Sequence, residues 1–562
     1  MDPFKRWPNL AAMMLGLGAE RGERPMLRYF RDGRWQRMSW GEFAAAAASV
    51  ADALRGRVAP GARVLLVSDS RPEIPIANVA LQAIGAVPVP AYVTNLPADH
   101  AHLLRDSGAR VAICATAALA TRVLAGAAEA DGLDWLIVME PFTGTGCEIT
   151  PWHALLDRPG TLGPIREAAG QIGAETMAVL MYTSGTGGAP KGVMIPHRAI
   201  LSNCQGAAEV VAPLNLAGEA YLSILPLSHT YEYTVGQYIL PVMNCEVVFA
   251  RGVEHLATDM REVRPHVMTV VPRVLDVVRA RVMAEVARAG QRRAALFHAA
   301  LAAGLRRLDG NPTLADRALL PIFDRLVFAR VRARFGGRII AIVSGGARLD
   351  PDVGRFFGAI GMRILQGYGQ TEAGPVISVN RLDAIRVATV GPPLRGVTVK
   401  IADDGEILVR GPLVMLGYWN QPEATAAALA DGWLHTGDIG VLEDGYLRIT
   451  DRKKDIIVLS GGETISPARV EGLLMNEPEI AQAVVLGDGA VGLTALLVPE
   501  PGMDEADVLA ALRRANATLS GAEKIRHHVI SPPFTLENGL LTPTQKIRRR
   551  LVIDRHLTGT MA

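Results

Sequence analysis

The chain has 562 residues, 49% of them hydrophobic and 20% charged, with 58 Lys plus Arg against 56 Asp plus Glu. That length exceeds what one hydrophobic core supports, so at least two domains are expected in a globular protein. The near-cancelled charge leaves no electrostatic footprint for nucleic acid, and four scattered cysteines argue against a disulfide scaffold or a zinc site. No signal peptide is read at the N-terminus, and Pro88 and Pro90 break the longest apolar stretch, Ile76 to Val93, short of a membrane span. A reducing, cytoplasmic setting is expected.

In chain order, short apolar runs alternate with amphipathic stretches, which predicts an α/β fold. Val64 to Val67 reads as a strand. Met177 to Tyr182 reads as another, running into the glycine-rich loop Thr183 to Gly192. The Ala- and Arg-rich stretch from about Pro272 to Arg338 reads as helical: either a solvated face or a peripheral membrane-contact surface. A strand is expected over Arg338 to Val343, ending in Ser344-Gly345-Gly346. Asp350 then reads as an N-cap with Pro351 at the first helical position, for a helix to about Ile360. A strand Met362 to Leu365 and a turn Gln366-Gly367-Tyr368-Gly369 follow. Both loops of this unit would lie at strand C-terminal ends, where open α/β sheets bind ligands. After Asp403 the texture becomes β-rich. The polar run Asp451-Arg452-Lys453-Lys454-Asp455 then marks a domain boundary, giving domains 1–450 and 451–562.

The loop Thr183-Ser184-Gly185-Thr186-Gly187-Gly188-Ala189-Pro190-Lys191-Gly192 combines hydroxyls, glycines and a lysine, the ingredients of a polyphosphate cradle. It is not a Walker A loop: Pro190 stands where that motif needs glycine, and Gly192 where it needs Ser or Thr. Only seven lysines survive a strong bias toward arginine, and Lys191, Lys453, Lys454 and Lys546 lie in the segments that carry motifs. A compact ammonium is not interchangeable with a guanidinium, so these positions stand out.

At this loop the chain resembles the acyl-adenylate-forming superfamily of acyl-CoA synthetases, adenylation domains and luciferases. The likeness recurs in order at Leu225-Pro-Leu-Ser-His229, Gln366-Gly-Tyr-Gly-Gln-Thr-Glu372 and Trp433-Leu-His-Thr-Gly-Asp438. It continues at Asp451-Arg-Lys-Lys-Asp455, Ser460-Gly-Gly-Glu463 and Pro543-Thr-Gln-Lys546, and spans roughly residues 25 to 550. The resemblance implies a large N-terminal domain of two α/β sheets plus a β-rich subdomain, and a small mobile α+β C-terminal domain. It implies that Thr183, Ser184, Gly185, Thr186, Gly187 and Lys191 cradle the ATP phosphates, and that Glu372 with Thr183 holds Mg²⁺, both hard oxygen ligands. Gly346, Gln366, Gly367 and Tyr368 would line the adenine and Thr371 the α-phosphate. Asp438 and Arg452 would hold the ribose. Lys546 would bridge the substrate carboxylate and the α-phosphate, with Asp451 as hinge. Members commonly carry threonine where this chain has Gly187, which predicts weaker phosphate contacts. His229 would orient substrate or sit as a packed histidine.

Leu225 to Glu232, the long helical insertion and Leu541-Thr-Pro-Thr-Gln-Lys546-Ile-Arg-Arg resemble the bacterial long-chain fatty acyl-CoA synthetase branch. Tyr233 then aligns with an aromatic gate of the fatty-acid tunnel, or is a core tyrosine. Coenzyme A is the expected acceptor thiol, with acyl carrier protein as the alternative. Monomer versus homodimer stays open, as does contact with the inner membrane face. A catalytically silent relative would have lost Lys546, Glu372 or Asp438, and all three are present.

Overall fold

The computed structural model describes residues 4, 6–157, 159–183, 189–542 and 547–559. Two β-sheets organise the first 380 residues. The larger has eight strands, and its interior is parallel: Arg363–Gly369, Ala341–Ser344, Val267–Val270, Ala220–Ser223, Glu246–Phe249 and Pro25–Arg31, in that spatial order. Antiparallel strands Val376–Val379 and Arg34–Ser39 close its two edges. The smaller sheet is fully parallel, with Val87–Ala91, Arg63–Val67, Val111–Cys114, Trp135–Val138 and Glu148–Pro151 in order. Its inner strands read as apolar runs because helices cover both faces of a parallel sheet. Arg63–Val67, for example, buries Val64, Leu65, Leu66 and Val67.

An antiparallel hairpin, Met177–Thr183 with Lys191–Pro196, carries the glycine-rich loop at its tip, and Gly417–Tyr418 adds a third strand beside Lys191–Pro196. Thr398–Ile401, Glu406–Arg410, Leu434–Glu443 and Tyr446–Arg452 form the expected β-rich unit. Asp451 and Arg452 close its last strand opposite Ile439 and Asp438, and the turn begins only at Lys453.

From Ile457 onward the chain builds its own core around Ile457, Val470, Val485, Leu493, Leu497 and Val508. Strands Ile480–Leu486, Leu493–Pro499 and Ile525–Ile530 form a sheet there, with helices Pro467–Met475, Glu505–Thr518 and Arg549–Leu557. The architecture is thus a large α/β part with a β-rich unit and a small α+β part.

Two local expectations need correction. The strand expected from Arg338 starts at Ala341, because residues 338–340 do not join the parallel ladder. Gln366-Gly367-Tyr368-Gly369 is not a turn; it continues the strand Arg363–Gly369 and pairs with Val376–Val379. Its glycines serve close backbone approach: a Cβ on Gly369 would lie 2.0 Å from the Pro375 carbonyl oxygen. The N-cap at Asp350 is present, its carboxylate accepting from the Asp352 N–H at 2.7 Å ahead of the helix Pro351–Ala359. The stretch after Pro272 is helical, as Pro272–Arg288, Gln291–Leu308 and Leu314–Phe323. No helix among the described residues is long and apolar enough to cross a membrane, and none of the four cysteines forms a disulfide.

Candidate active site

Among the described motif residues, Lys191, Tyr368, Thr371, Glu372, Asp438 and Arg452 lie where strands of the large sheet end and the hairpin and β-rich unit meet them. Three clusters compose the site.

The first is a carboxylate clamp. Tyr368, near the end of the strand Arg363–Gly369, donates its hydroxyl to Asp438 Oδ2 at 2.6 Å. Arg452 Nε lies 3.0 Å from the other oxygen of Asp438, across the antiparallel ladder that pairs the two residues. Asp438 is 4% exposed. Burial and the adjacent Asp438 carboxylate push the Tyr368 hydroxyl well above its ordinary pKa, so it stays a donor. Burial works against the Arg452 charge, but Asp438 and Asp455 outweigh it and raise the guanidinium further. A carboxylate has about four acceptor sites, so Asp438 retains capacity for two further donors such as a vicinal diol.

The second cluster surrounds Glu372. Thr371 and Glu372 open the short turn Thr371–Ala373 just past the strand Arg363–Gly369. Thr371 Oγ1 is 3.0 Å from Thr230 Oγ1, and Tyr418 donates its hydroxyl to Glu372 Oε1 at 2.8 Å. Lys191 Nζ sits 5.0 Å from the centroid of the Tyr418 ring, within cation–π range. Tyr418 therefore bridges the anionic Glu372 and the cationic Lys191. Thr183 and Lys191 face each other across the hairpin. Ser184, Gly185, Thr186 and Gly187, and likewise Lys546, lie outside the described residues. Leu541 and Ile547, which flank the Lys546 segment, pair as an antiparallel bridge.

The third cluster is the floor under the Leu225 to Glu232 motif. The short helix Thr230–Thr234 has His229 as N-cap, its Nδ1 accepting from the Tyr231 N–H at 3.2 Å. Glu232 is fully buried and accepts from Tyr221 (2.6 and 2.7 Å), Ser223 (2.6 Å) and Thr269 (2.8 Å), on two neighbouring strands. Burial pushes its carboxyl pKa up, and those hydroxyls pull the other way. Glu232 thus rivets the helix to the sheet and so positions Thr230 against Thr371. Tyr231 donates to the Val343 carbonyl at 3.1 Å, and its ring stands 3.3 Å from where a Cβ on Gly345 would sit. Gly346 follows with φ +81°, a conformation that favours glycine. Gln366 pairs with Ser344, two residues before Gly346, and Gly367 follows it on the same strand.

Tyr233 is fully buried, its hydroxyl accepting from Gln82 at 3.2 Å and its ring edge-on to Tyr238. Asp451 is buried, and that burial raises its carboxyl pKa. Sequence reasoning missed Tyr418, which sits in no motif quoted above; only the strand pairing Gly417–Tyr418 with Lys191–Pro196 reveals it. It also passed over Thr230 and Glu232 as chemistry, although both lie inside a quoted motif.

Against known proteins, residues 17–419 match the model of the AMP-binding enzyme family, and residues 454–556 that of the AMP-binding enzyme C-terminal domain. The chain is 34% identical over 585 residues to the long-chain-fatty-acid–CoA ligase FadD15 of Mycobacterium bovis, covering 97% of this chain and 95% of the relative. Among solved structures it is similar to the anthranilate CoA ligase AuaEII in complex with anthranoyl-AMP (TM-score 0.76, 21% identity, 100% of both chains). It is also similar to the o-succinylbenzoate coenzyme A synthetase of Bacillus subtilis in complex with ATP and magnesium (TM-score 0.69, 21% identity, 96% and 98% covered). The two family models together span most of the chain, and this protein belongs to the AMP-binding enzyme family.

Proposed function

We propose that this chain is an ATP-dependent, AMP-forming acid–thiol ligase that converts a long-chain fatty acid to its acyl-adenylate and then to the coenzyme A thioester. The observation that carries the reading is the pairing of two preformed anchors: the Tyr368–Asp438–Arg452 clamp and the Lys191–Tyr418–Glu372 bridge. One suits a ribose diol and the other a magnesium-bound polyphosphate. FadD15, similar over nearly the whole chain, supports the acid and the acceptor.

In the first half-reaction a carboxylate oxygen attacks the α-phosphorus and pyrophosphate leaves. Two anions must meet, so Lys191 and Lys546 act by stabilising the accumulated charge. Glu372 with Thr183 suits Mg²⁺, which takes few protein oxygens alongside phosphates and supplies further charge neutralisation when bound. Thr371, positioned by Thr230, faces the α-phosphate, His229 the acid, and Gly346, Gln366 and Gly367 the adenine. In the second half-reaction a thiolate attacks the acyl carbon and AMP leaves. Asp451 is the hinge, about which the part of the chain beyond the strand Tyr446–Arg452 swings Lys546 away while Arg452 stays paired with Asp438; the separate core after Ile457 supports that division.

Pyrophosphate exchange over a chain-length panel of acids, followed by thioester assays with coenzyme A and with acyl carrier protein, tests the reading. Exchange strongest with long-chain acids and transfer to coenzyme A are expected. Exchange with no acid overturns it, and transfer only to carrier protein replaces the acceptor.

The partner that delivers the acid is proposed to be an anionic lipid surface. Residues 272–335 hold thirteen arginines against five acids, in a chain whose net charge is only +2. Four of those acids are already paired, with Arg306, Arg332, Arg334 and Arg355. The helix Leu314–Phe323 and the turns after it expose Leu314, Leu319, Ile322 and Leu326, with Arg317, Arg325 and Arg330 exposed beside them. An apolar ridge with flanking arginines suits an anionic interface. Co-sedimentation with phosphatidylglycerol vesicles, lost in Leu314→Ser/Ile322→Ser and absent with phosphatidylcholine, is expected. Equal sedimentation of the variant, or none of the wild type, overturns it.

A further inference from the structure

Both stems of the glycine-rich loop are tied to one helix that no motif touches. The helix Pro97–Ser107 belongs to the smaller parallel sheet, and its residues His102 and Asp106 are four apart and so share a face. On the incoming stem, the Tyr182 hydroxyl donates to Asp106 Oδ2 at 2.6 Å. On the outgoing stem, His102 Nε2 is 3.0 Å from the Pro190 carbonyl oxygen. A carbonyl only accepts, so Nε2 carries the proton in this contact. The His102 and Tyr182 rings meet edge to face with centroids 6.1 Å apart. Burial, then the Asp106 hydrogen bond, raises the Tyr182 hydroxyl pKa well above normal and keeps it a donor.

The same helix also reaches the strand that carries Tyr418. Trp419 Nε1 donates to the Asp106 carbonyl oxygen at 2.9 Å, and the Trp419 N–H donates to the Gly192 carbonyl oxygen at 2.7 Å. Thr183, Lys191 and the Tyr418–Glu372 bridge therefore share one support.

We propose that His102 and Asp106 are positioning residues for the ATP phosphates, a bracket that sets the spacing of the two loop stems and the aim of Lys191. This rests on the assignment of the loop as the phosphate cradle. Phosphate cradles work through donors held in place before the ligand arrives, and glycine-rich segments lose the most conformational entropy on ordering. Fixing both stems holds the Thr183 hydroxyl and the Lys191 ammonium in register before ATP arrives. Pyrophosphate departs after adenylation, so the bracket serves the first half-reaction only.

The test compares His102→Ala, His102→Gln, Asp106→Ala and Lys191→Ala in the full-length enzyme. ATP–pyrophosphate exchange, thioester formation from supplied acyl-adenylate, and the melting temperature are measured for each. His102→Ala and Asp106→Ala are expected to raise the KM for ATP roughly five- to thirty-fold, the scale of one lost part-buried hydrogen bond. Thioester formation should stay within about twofold. His102→Gln, whose amide N–H₂ can reach the Pro190 carbonyl, should recover most of the loss. A glutamine variant as poor as alanine, or equal loss in both half-reactions, overturns the bracket. So does an unchanged KM for ATP in His102→Ala while Lys191→Ala raises it. If Lys191→Ala also leaves that KM unchanged, it is the phosphate-loop assignment itself that fails.

Discussion

The two ends of the candidate nucleotide site are built on opposite plans. At the sugar end, a buried carboxylate sits on a strand, engaged by a tyrosine from the large sheet and an arginine from the adjacent strand. At the phosphate end, the contacts lie at the base of a loop: Tyr182 to Asp106, His102 to Pro190, and Lys191 over Tyr418. The difference follows the reaction. AMP stays through both half-reactions and can be gripped by a rigid ladder, whereas pyrophosphate must leave after the first.

Substitutions can break or sharpen this contrast. The largest effect is expected for Lys546→Ala: pyrophosphate exchange should fall at least 10²–10³-fold, the scale of one lost transition-state donor, with thioester formation from supplied acyl-adenylate far less affected. Equal loss of both halves would remove Lys546 from the adenylation step. Asp438→Ala should come next, lowering kcat/KM by about 10²-fold in both half-reactions, because it unpairs Arg452 and Tyr368 as well as the ribose. Loss in adenylation alone would mean the two ends are not functionally distinct. Asp451→Pro should slow thioester formation about tenfold while adenylation is largely retained, since proline restricts φ at the proposed hinge. Asp451 also pairs with Ile439, so the melting temperature is measured alongside. The smallest effect is expected for Tyr418→Phe, which keeps the ring under Lys191 but deletes the hydroxyl to Glu372. A rise of about three- to fivefold in the magnesium concentration needed for half-maximal exchange would mark that bond.

A separate stability measurement bears on the floor beneath both ends. Glu232→Gln keeps the size of the side chain but replaces an all-acceptor carboxylate facing three hydroxyl donors. Urea unfolding should show a loss of about 1–3 kcal/mol. No change would mean that the helix Thr230–Thr234 is held by packing alone.

Residues whose chemistry sits in a contiguous run were legible from sequence. Thr183, Lys191, Glu372, Asp438 and Arg452 could be proposed from sequence because a cradle, a turn or a strand end would present neighbours in sequence to one ligand. The α/β alternation was legible for a similar reason: buried parallel strands read as apolar runs whatever packs on them. Local reading failed at Gln366 to Gly369, where glycines suggested a turn but serve a strand whose partner backbone comes too close for a Cβ.

The amino-acid order by itself therefore determined the fold class, the family resemblance and the chemical groups proposed to meet ATP. Tertiary structure alone decided how those groups are held. His102 meets Pro190 across 88 positions, Trp419 meets Asp106 across 313, and Tyr418 joins Glu372 to Lys191 only because Gly417–Tyr418 pairs with the hairpin. A hydrogen bond needs its partners within about 3 Å at a set angle, and no local pattern encodes which distant residue arrives there.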